Sequence, residues 1–152
     1  KVPINIGFLL SALANLNVAN MEIFTLFDDV KYFRIDFMKN VNGNELVEVQ
    51  DIIDNSFDMS REVHIYDIEI YKDEIALNCE HSKTHAEVSV QTKNQKGLLA
   101  YIMNAFEKLN INIVTAKIHS SKYKVKDSFL IEKQNKLCDN GDKIFELLTK
   151  GQ

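Results

Sequence analysis

The sequence predicts an α+β fold built from two successive units, each an antiparallel sheet with its helices on one face. Three observations carry this. Residues 88–118 run strand, glycine-bearing turn, short helix and strand, from Val88-Ser89-Val90 through Gly97-Leu98-Leu99 to Val114-Thr115-Ala116. An echo lies nearer the start, where Gly7-Phe8-Leu9-Leu10-Ser11-Ala12-Leu13 leads through Leu16-Asn17-Val18 into Met21-Glu22-Ile23-Phe24. Each copy then switches from the alternation of a strand to the spacing of a helix. Internal repetition of this kind governs the fold before any local feature does.

In the first unit Ile6, Leu9, Leu10, Leu13 and Leu16 recur at helical spacing behind Pro3, whose fixed φ suits a first turn, so a helix is expected over 4–15. Alternating β-branched and aromatic residues predict strands over 18–27 and 31–39, with Asp28-Asp29 as the hairpin between them. Asn42 is placed to cap a second helix, Glu45 and Glu48 put acid in its first turn, and Leu46, Val49, Ile53 and Phe57 form one stripe. The alternation from Val63 to Tyr71 predicts a further strand.

The second unit is more regular. Ala86, Val88 and Val90 share a strand face, Leu98, Leu99, Ile102, Phe106 and Leu109 a helix face, and Val114, Ala116 and Ile118 the inward face of the next strand. A hairpin through residues 121–124 leads to a strand over 125–133, and Asp139 with Asp142 reads as an acidic capping box opening the last helix. The order βαββα is that of the ferredoxin-like fold, βαββαβ, with the opening strand missing from the first repeat. The second repeat has no fourth strand after its last helix, so the segment 63–72 is expected in that slot, antiparallel to the opening strand, or contested between the repeats. The expected division is a truncated first repeat over 1–62, a strand and linker over 63–83, and a second repeat over 84–152.

With 152 residues, 45% apolar and 26% charged, the composition is that of an ordinary globular chain. A net charge of −4 without a dense Lys/Arg block argues against a nucleic-acid partner. No apolar run approaches the roughly 20 residues that span a bilayer, which argues against a membrane one. Two cysteines, Cys79 and Cys138, are too few for a disulfide framework and suit a reducing compartment, with cytoplasm as the default. Beginning at Lys1 with a helical pattern and no strand before it, the sequence reads as a piece of a longer protein. It shows no phosphate-cradling loop, nucleophile elbow or hydrolase His-Asp pair, so the fragment itself is not expected to be an enzyme.

Asn94-Gln95-Lys96-Gly97-Leu98-Leu99, followed by Asn112-Ile113-Val114-Thr115-Ala116-Lys117-Ile118, resembles the ACT domain, a small-molecule-binding regulatory module. That family usually opens with Asp or Asn, any residue, Pro, Gly, Leu, Leu; here Asn94 and Lys96 stand at the Asp and Pro positions. Ile68-Glu69-Ile70-Tyr71-Lys72-Asp73 before the second repeat looks like the linker in the tandem ACT tail of bacterial protein-PII uridylyltransferase/uridylyl-removing enzymes. The resemblance implies a glutamine-sensing tail in nitrogen regulation that biases upstream catalytic domains. Those would be a magnesium-dependent nucleotidyltransferase and a uridylyl-removing phosphodiesterase, with PII as partner through the parent enzyme and homodimerisation through ACT sheets. The alternatives are the regulatory region of another enzyme of amino-acid metabolism, or a structural pairing module without ligand.

An α-amino acid needs donors for its carboxylate and acceptors for its ammonium. Amides at a helix start supply the donors. The resemblance therefore implies ligand binding by Asn94, Gln95, Lys96, Gly97 and Leu98, joined by Asn112 and Ile113 at the helix-to-strand turn. Each has a plain structural alternative: Gly97 permits a tight turn, Asn94 caps the helix, and Asn112 serves turn chemistry. Asn17 is the counterpart of Asn112 in the first repeat. Cys79, His81 and His85 match no familiar structural zinc site, and no metal is expected. His64 and His119 read as solvent-facing strand residues, and Lys117, Lys122, Lys124 and Lys126 as edge protection around one hairpin.

Overall fold

The computed structural model describes residues 4–14, 16, 18–25, 30–38, 40–62, 64–133, 137–139 and 141–149. Their elements, in chain order, are α1 (Ile6–Ala14), β1 (Val18–Thr25), β2 (Lys31–Phe37), α2 (Gly43–Asn55), β3 (Ile75–Asn78), β4 (His85–Lys93), α3 (Leu98–Lys108), β5 (Ile113–Ser120), β6 (Lys124–Glu132) and α4 (Asp142–Thr149). The order α–β–β–α thus occurs twice. The expected contributions of Pro3, Asn17, the Asp28-Asp29 hairpin and Val63 lie outside the described residues.

Local chemistry sets the helix ends. The Asn5 side chain accepts the Phe8 amide at 3.1 Å ahead of α1. Asn42 accepts the Glu45 amide at 2.9 Å and donates to the Glu45 carboxylate at 3.1 Å, a reciprocal cap for α2. Helix α3 stops at Asn110, whose φ of 53° is left-handed. There the Asn110 N–H reaches Glu107 O at 3.0 Å and the Ile111 N–H reaches Phe106 O at 2.9 Å, a Schellman closure.

All six strands form one antiparallel sheet in the order β2-β1-β5-β6-β4-β3. The two units therefore share a sheet: β1 pairs with β5, Asn20 opposite His119 and Ile23 opposite Ala116. The buried apolar residues form one cluster running from Leu9, Leu10 and Leu13 to Ile144 and Leu148. Phe106 and Phe129 meet edge to face at its centre, 5.1 Å between centroids. Across the helical layer α1 rests on α3, and α3 on α4. The Tyr101 hydroxyl donates to the carbonyls of Leu147 and Leu148 at 3.1 and 2.8 Å, satisfying the end of α4.

Several expectations are corrected. The segment 64–71 is not a strand. Its alternation is real, with Ile68 and Ile70 buried, but the Gln95 side chain takes the place of a neighbouring strand, accepting the Glu69 N–H at 3.1 Å and donating to its carbonyl at 2.8 Å. The slot beside β4 is filled by β3 instead, Ile75 opposite Val90. Ile113 turns inward in place of Val114, because an irregularity in the β5–β6 register between Ile113 and Thr115 shifts the alternation by one residue. Among the described residues helix α2 buries none of its own, and Leu46, Ile53 and, just beyond its end, Phe57 are exposed, with α1 the main element against it. Helix α4 begins at Asp142, three residues later than the Asp139 cap implied. The lysine-rich hairpin is no sheet edge, since β5 and β6 are both interior strands. His64 lies in the irregular segment, while His119 is on β5 and bonds to Asn20 across the seam.

Cys79 and Cys138 are joined in a disulfide, with Cα atoms 6.0 Å apart across 59 residues of sequence. The cysteine argument for a reducing compartment therefore does not hold. Among the described residues no helix is long and apolar enough to cross a membrane. The bond ties the end of β3 to the approach to α4, where Gly141 passes so close to β3 that a Cβ would sit 2.8 Å from Leu77. Closing a loop of this length constrains the unfolded chain by about 4 kcal/mol in the chain-entropy model. Reduction, or Cys138→Ser, should lower the unfolding free energy by up to about that amount. Denaturant titration with and without reductant measures the loss, and hydrogen exchange should show the amides of β3 opening first.

Candidate functional site

The turn between β4 and α3 is held from two sides. Gly97 begins α3 with φ 81° and ψ 9°, and a Cβ there would meet the Tyr66 ring at 2.3 Å, so glycine is required both by conformation and by space. Lys96 places its ammonium 5.3 Å from the centre of the same ring. Gln95 is bound to the Glu69 backbone as described, and Lys93 pairs with the Glu69 carboxylate at 3.2 Å. Asn94 does not cap α3. Its N–H reaches Tyr123 O at 2.8 Å and its side-chain NH2 reaches Ser121 O at 2.9 Å, fastening the turn to the β5–β6 hairpin. The Leu98 N–H closes the turn on Gln95 O at 3.1 Å.

The segment 64–71 thus covers one side of the turn. The other side opens on a cavity of about 150 Å³, bounded beyond the turn by Leu16, Val18 and Met38 of the first unit and by Ile118 and Asp127. Asp127 is the unexpected member. On the helix-covered face the partners across the sheet are Ile35, Met21, Ile118, Asp127, Val90 and Ile75, one from each strand. One carboxyl therefore stands in an otherwise apolar row, 1% exposed, and neither of its oxygens has a hydrogen-bond partner among the described residues. The nearby Thr92 hydroxyl is likewise buried and unpartnered. Burial alone pushes the Asp127 carboxyl up to about 8 from an ordinary 3.8.

The candidate residues read from the sequence divide between two places. Asn94, Gln95, Lys96, Gly97 and Leu98 line the cavity just described. Asn112 and Ile113 line another, of about 530 Å³, together with Asn5 and Gly7. The reason is directional. Helix α3 carries the chain back to the far end of the sheet before β5 begins, so its two ends cannot share a site within one unit. Antiparallel pairing of β1 with β5 sets the approach to β1, at Leu16, beside the turn of the second unit, and sets the approach to α1 beside Asn112. Asp127 was missed in the sequence reading, although the alternation Val125, Asp127, Phe129, Ile131 already assigns it to the buried face. Cys79 is engaged in the disulfide and the His85 ring bonds to Thr84 at 2.8 Å. Among the described residues no three metal-ligating side chains converge.

The family model of the ACT-like domain of plant bHLH transcription factors matches residues 76–146. Over this segment the chain is similar to an ACT-like domain. The segment runs from β3 to α4 and contains the turn and Asp127. No curated protein and no solved structure matches the chain. The resemblance to the tandem ACT tail of bacterial protein-PII uridylyltransferases is overturned, because the matching model describes a domain of plant transcription factors. The linker phrase behind it, residues 68–73, is irregular backbone followed by a single 3-10 turn, Lys72–Glu74. Glutamine as the sensed metabolite, the uridylyl-transferring and uridylyl-removing domains, their magnesium and the PII partner rested on that resemblance and lose their basis with it.

Two substitutions test the geometry. Gly97→Ala, strained in conformation and in contact with Tyr66, should destabilise by about 2 kcal/mol or more, read from the denaturant midpoint. For Asp127 the folded state keeps a proton that the unfolded chain releases between about pH 4 and pH 8, so stability is full below that window and falls as pH rises through it. Asp127→Asn should therefore melt close to the parent protein at about pH 4 and clearly above it at pH 8, as calorimetry across that range would record.

Proposed function

We propose that the chain is a regulatory module that binds a small amino acid in the cavity between the β4–α3 turn and the first unit, and that the first unit is a divergent copy of the ACT-like domain. The observation that carries this is the cavity itself: the start of α3, with the Gly97 amide, on one wall, a buried carboxyl without a partner among the described residues on another, and apolar side chains between them. Its volume of about 150 Å³ is that of a site for a benzene-sized guest, so a short side chain fits inside and a longer one extends through the mouth. The module does no chemistry. It acts by binding one arrangement of its neighbours more tightly than another, an influence of typically about 1–3 kcal/mol.

Titration of isotope-labelled protein with the standard amino acids, followed by NMR, tests this. Shifts concentrated at Gly97, Leu98, Leu16 and Val18 are expected for at least one of them. A spectrum unmoved by all of them would reject ligand binding. A second role, a pairing module without ligand, is favoured by α2 and the turn after it, which leave Leu46, Val47, Ile53 and Phe57 exposed. In that case the melting temperature is indifferent to every amino acid and the sedimenting mass rises with concentration.

A further inference from the structure

No partner among the described residues accounts for Asp127. Buried carboxyls are ordinarily paired or hydrogen-bonded, because an unpartnered one loses its hydration for nothing in return. Here the sheet neighbours are Ile118 and Val90, and the Thr92 hydroxyl one diagonal step away is itself without a partner. What Asp127 does have is a place in the wall of the cavity lined by Gly97 and Leu98, where α3 begins. No protein acceptor takes the Gly97 N–H among the described residues. With the Leu98 N–H engaged by Gln95 O, the Gly97 donor and the Asp127 acceptor flank a space whose remaining walls include Leu16, Val18 and Ile118.

We propose that Asp127 is a ligand-binding residue, its carboxylate receiving the cationic nitrogen of a small zwitterion whose anionic end rests on the Gly97 amide at the start of α3. This deepens the function proposed above and rests on it. The apolar walls make the charge pair strong once water is excluded, and they reject a ligand that brings only an anionic end, since Asp127 then stays unpaired.

Binding is coupled to a proton. Burial keeps the empty carboxyl protonated at neutral pH, so the acid releases its proton to the buffer as the ligand nitrogen, which keeps its own protons, arrives. No other group on the surrounding elements takes this part. Helix α1 carries no titratable side chain. On α3 the Tyr101 hydroxyl is bound to α4, and Glu107 and Lys108 lie at the opposite end. Glu22, His85, Glu87, Lys93, Lys117, His119, Lys124, Lys126 and Glu132 alternate to the outer face of the sheet, and Asp142, Lys143 and Glu146 on α4 are exposed. Among the described residues Lys96 is the other titratable group lining the cavity, beside Tyr66.

The test compares the tightest-binding standard amino acid with its des-amino carboxylic acid, by calorimetry and NMR, on the whole chain and on Asp127→Asn. The parent protein should prefer the amino acid by about tenfold or more, the worth of a charge-assisted hydrogen bond, and the preference should fall to within about twofold in the variant. In buffers of different ionisation enthalpy at pH 7, the parent protein should release close to one proton per ligand, a reading that needs no variant. Equal affinities for the two compounds at the same amides, or a preference that survives Asp127→Asn, would overturn the role of Asp127 while leaving the site in place. Failure of every standard amino acid to shift those amides removes the site, and Asp127's role with it.

Discussion

Antiparallel pairing of β1 with β5 is the contact on which the rest of the molecule depends. It spans four residue pairs, from Asn20–His119 to Ile23–Ala116, and merges two small units into one sheet with one core. A lone two-stranded hairpin such as β1–β2 has little stability in water, so the first unit draws its order from the second. The second unit gains in turn, because β5 would otherwise present an open edge. Met21 and Ile23 on β1 and Ala116 and Ile118 on β5 are all buried, and register across the seam is set by this shared inward face.

The same pairing makes the cavities. In one unit, the turn before a helix and the turn after it sit at opposite ends of the sheet. Only a second unit running antiparallel alongside can bring a helix start of one against a strand start of the other. The turn at 94–97 therefore faces Leu16 and Val18, and the approach to α1 faces Asn112. Both cavities are lined by residues from both halves of the chain. Segment 64–71 completes the arrangement by closing the turn's outer side with Tyr66 and Glu69, leaving the inner side, next to Asp127, as the open one.

Much of this was legible along the chain. The caps Asn42–Glu45, the apolar stripe of α3 and the alternation of β4 follow from short-range rules, and the structure keeps them. Gly97 was recognisable as a turn residue, and its conformation agrees. The misses share one cause. The alternation of 64–71 signals which side chains face inward, and it is silent on whether a strand or a Gln95 amide satisfies the backbone. The stripe of α2 is amphipathic by spacing, yet nothing in its spacing supplies a second neighbour. Cys79 and Cys138 are brought within bonding distance where the approach to α4, at Gly141, passes beside Leu77 of β3, across 59 residues that carry no local mark of it.

Periodicity and end chemistry, acting over a few residues, were enough to specify the elements, their inward faces and the position of the β4–α3 turn. Which strand joins which, where the two ends of α3 find their neighbours, and that Asp127 stands alone in an apolar row were decided by contacts between residues far apart in the chain. Short-range steric and hydrogen-bonding preferences are written into each stretch of sequence. The desolvation of one carboxyl is a property of everything packed around it.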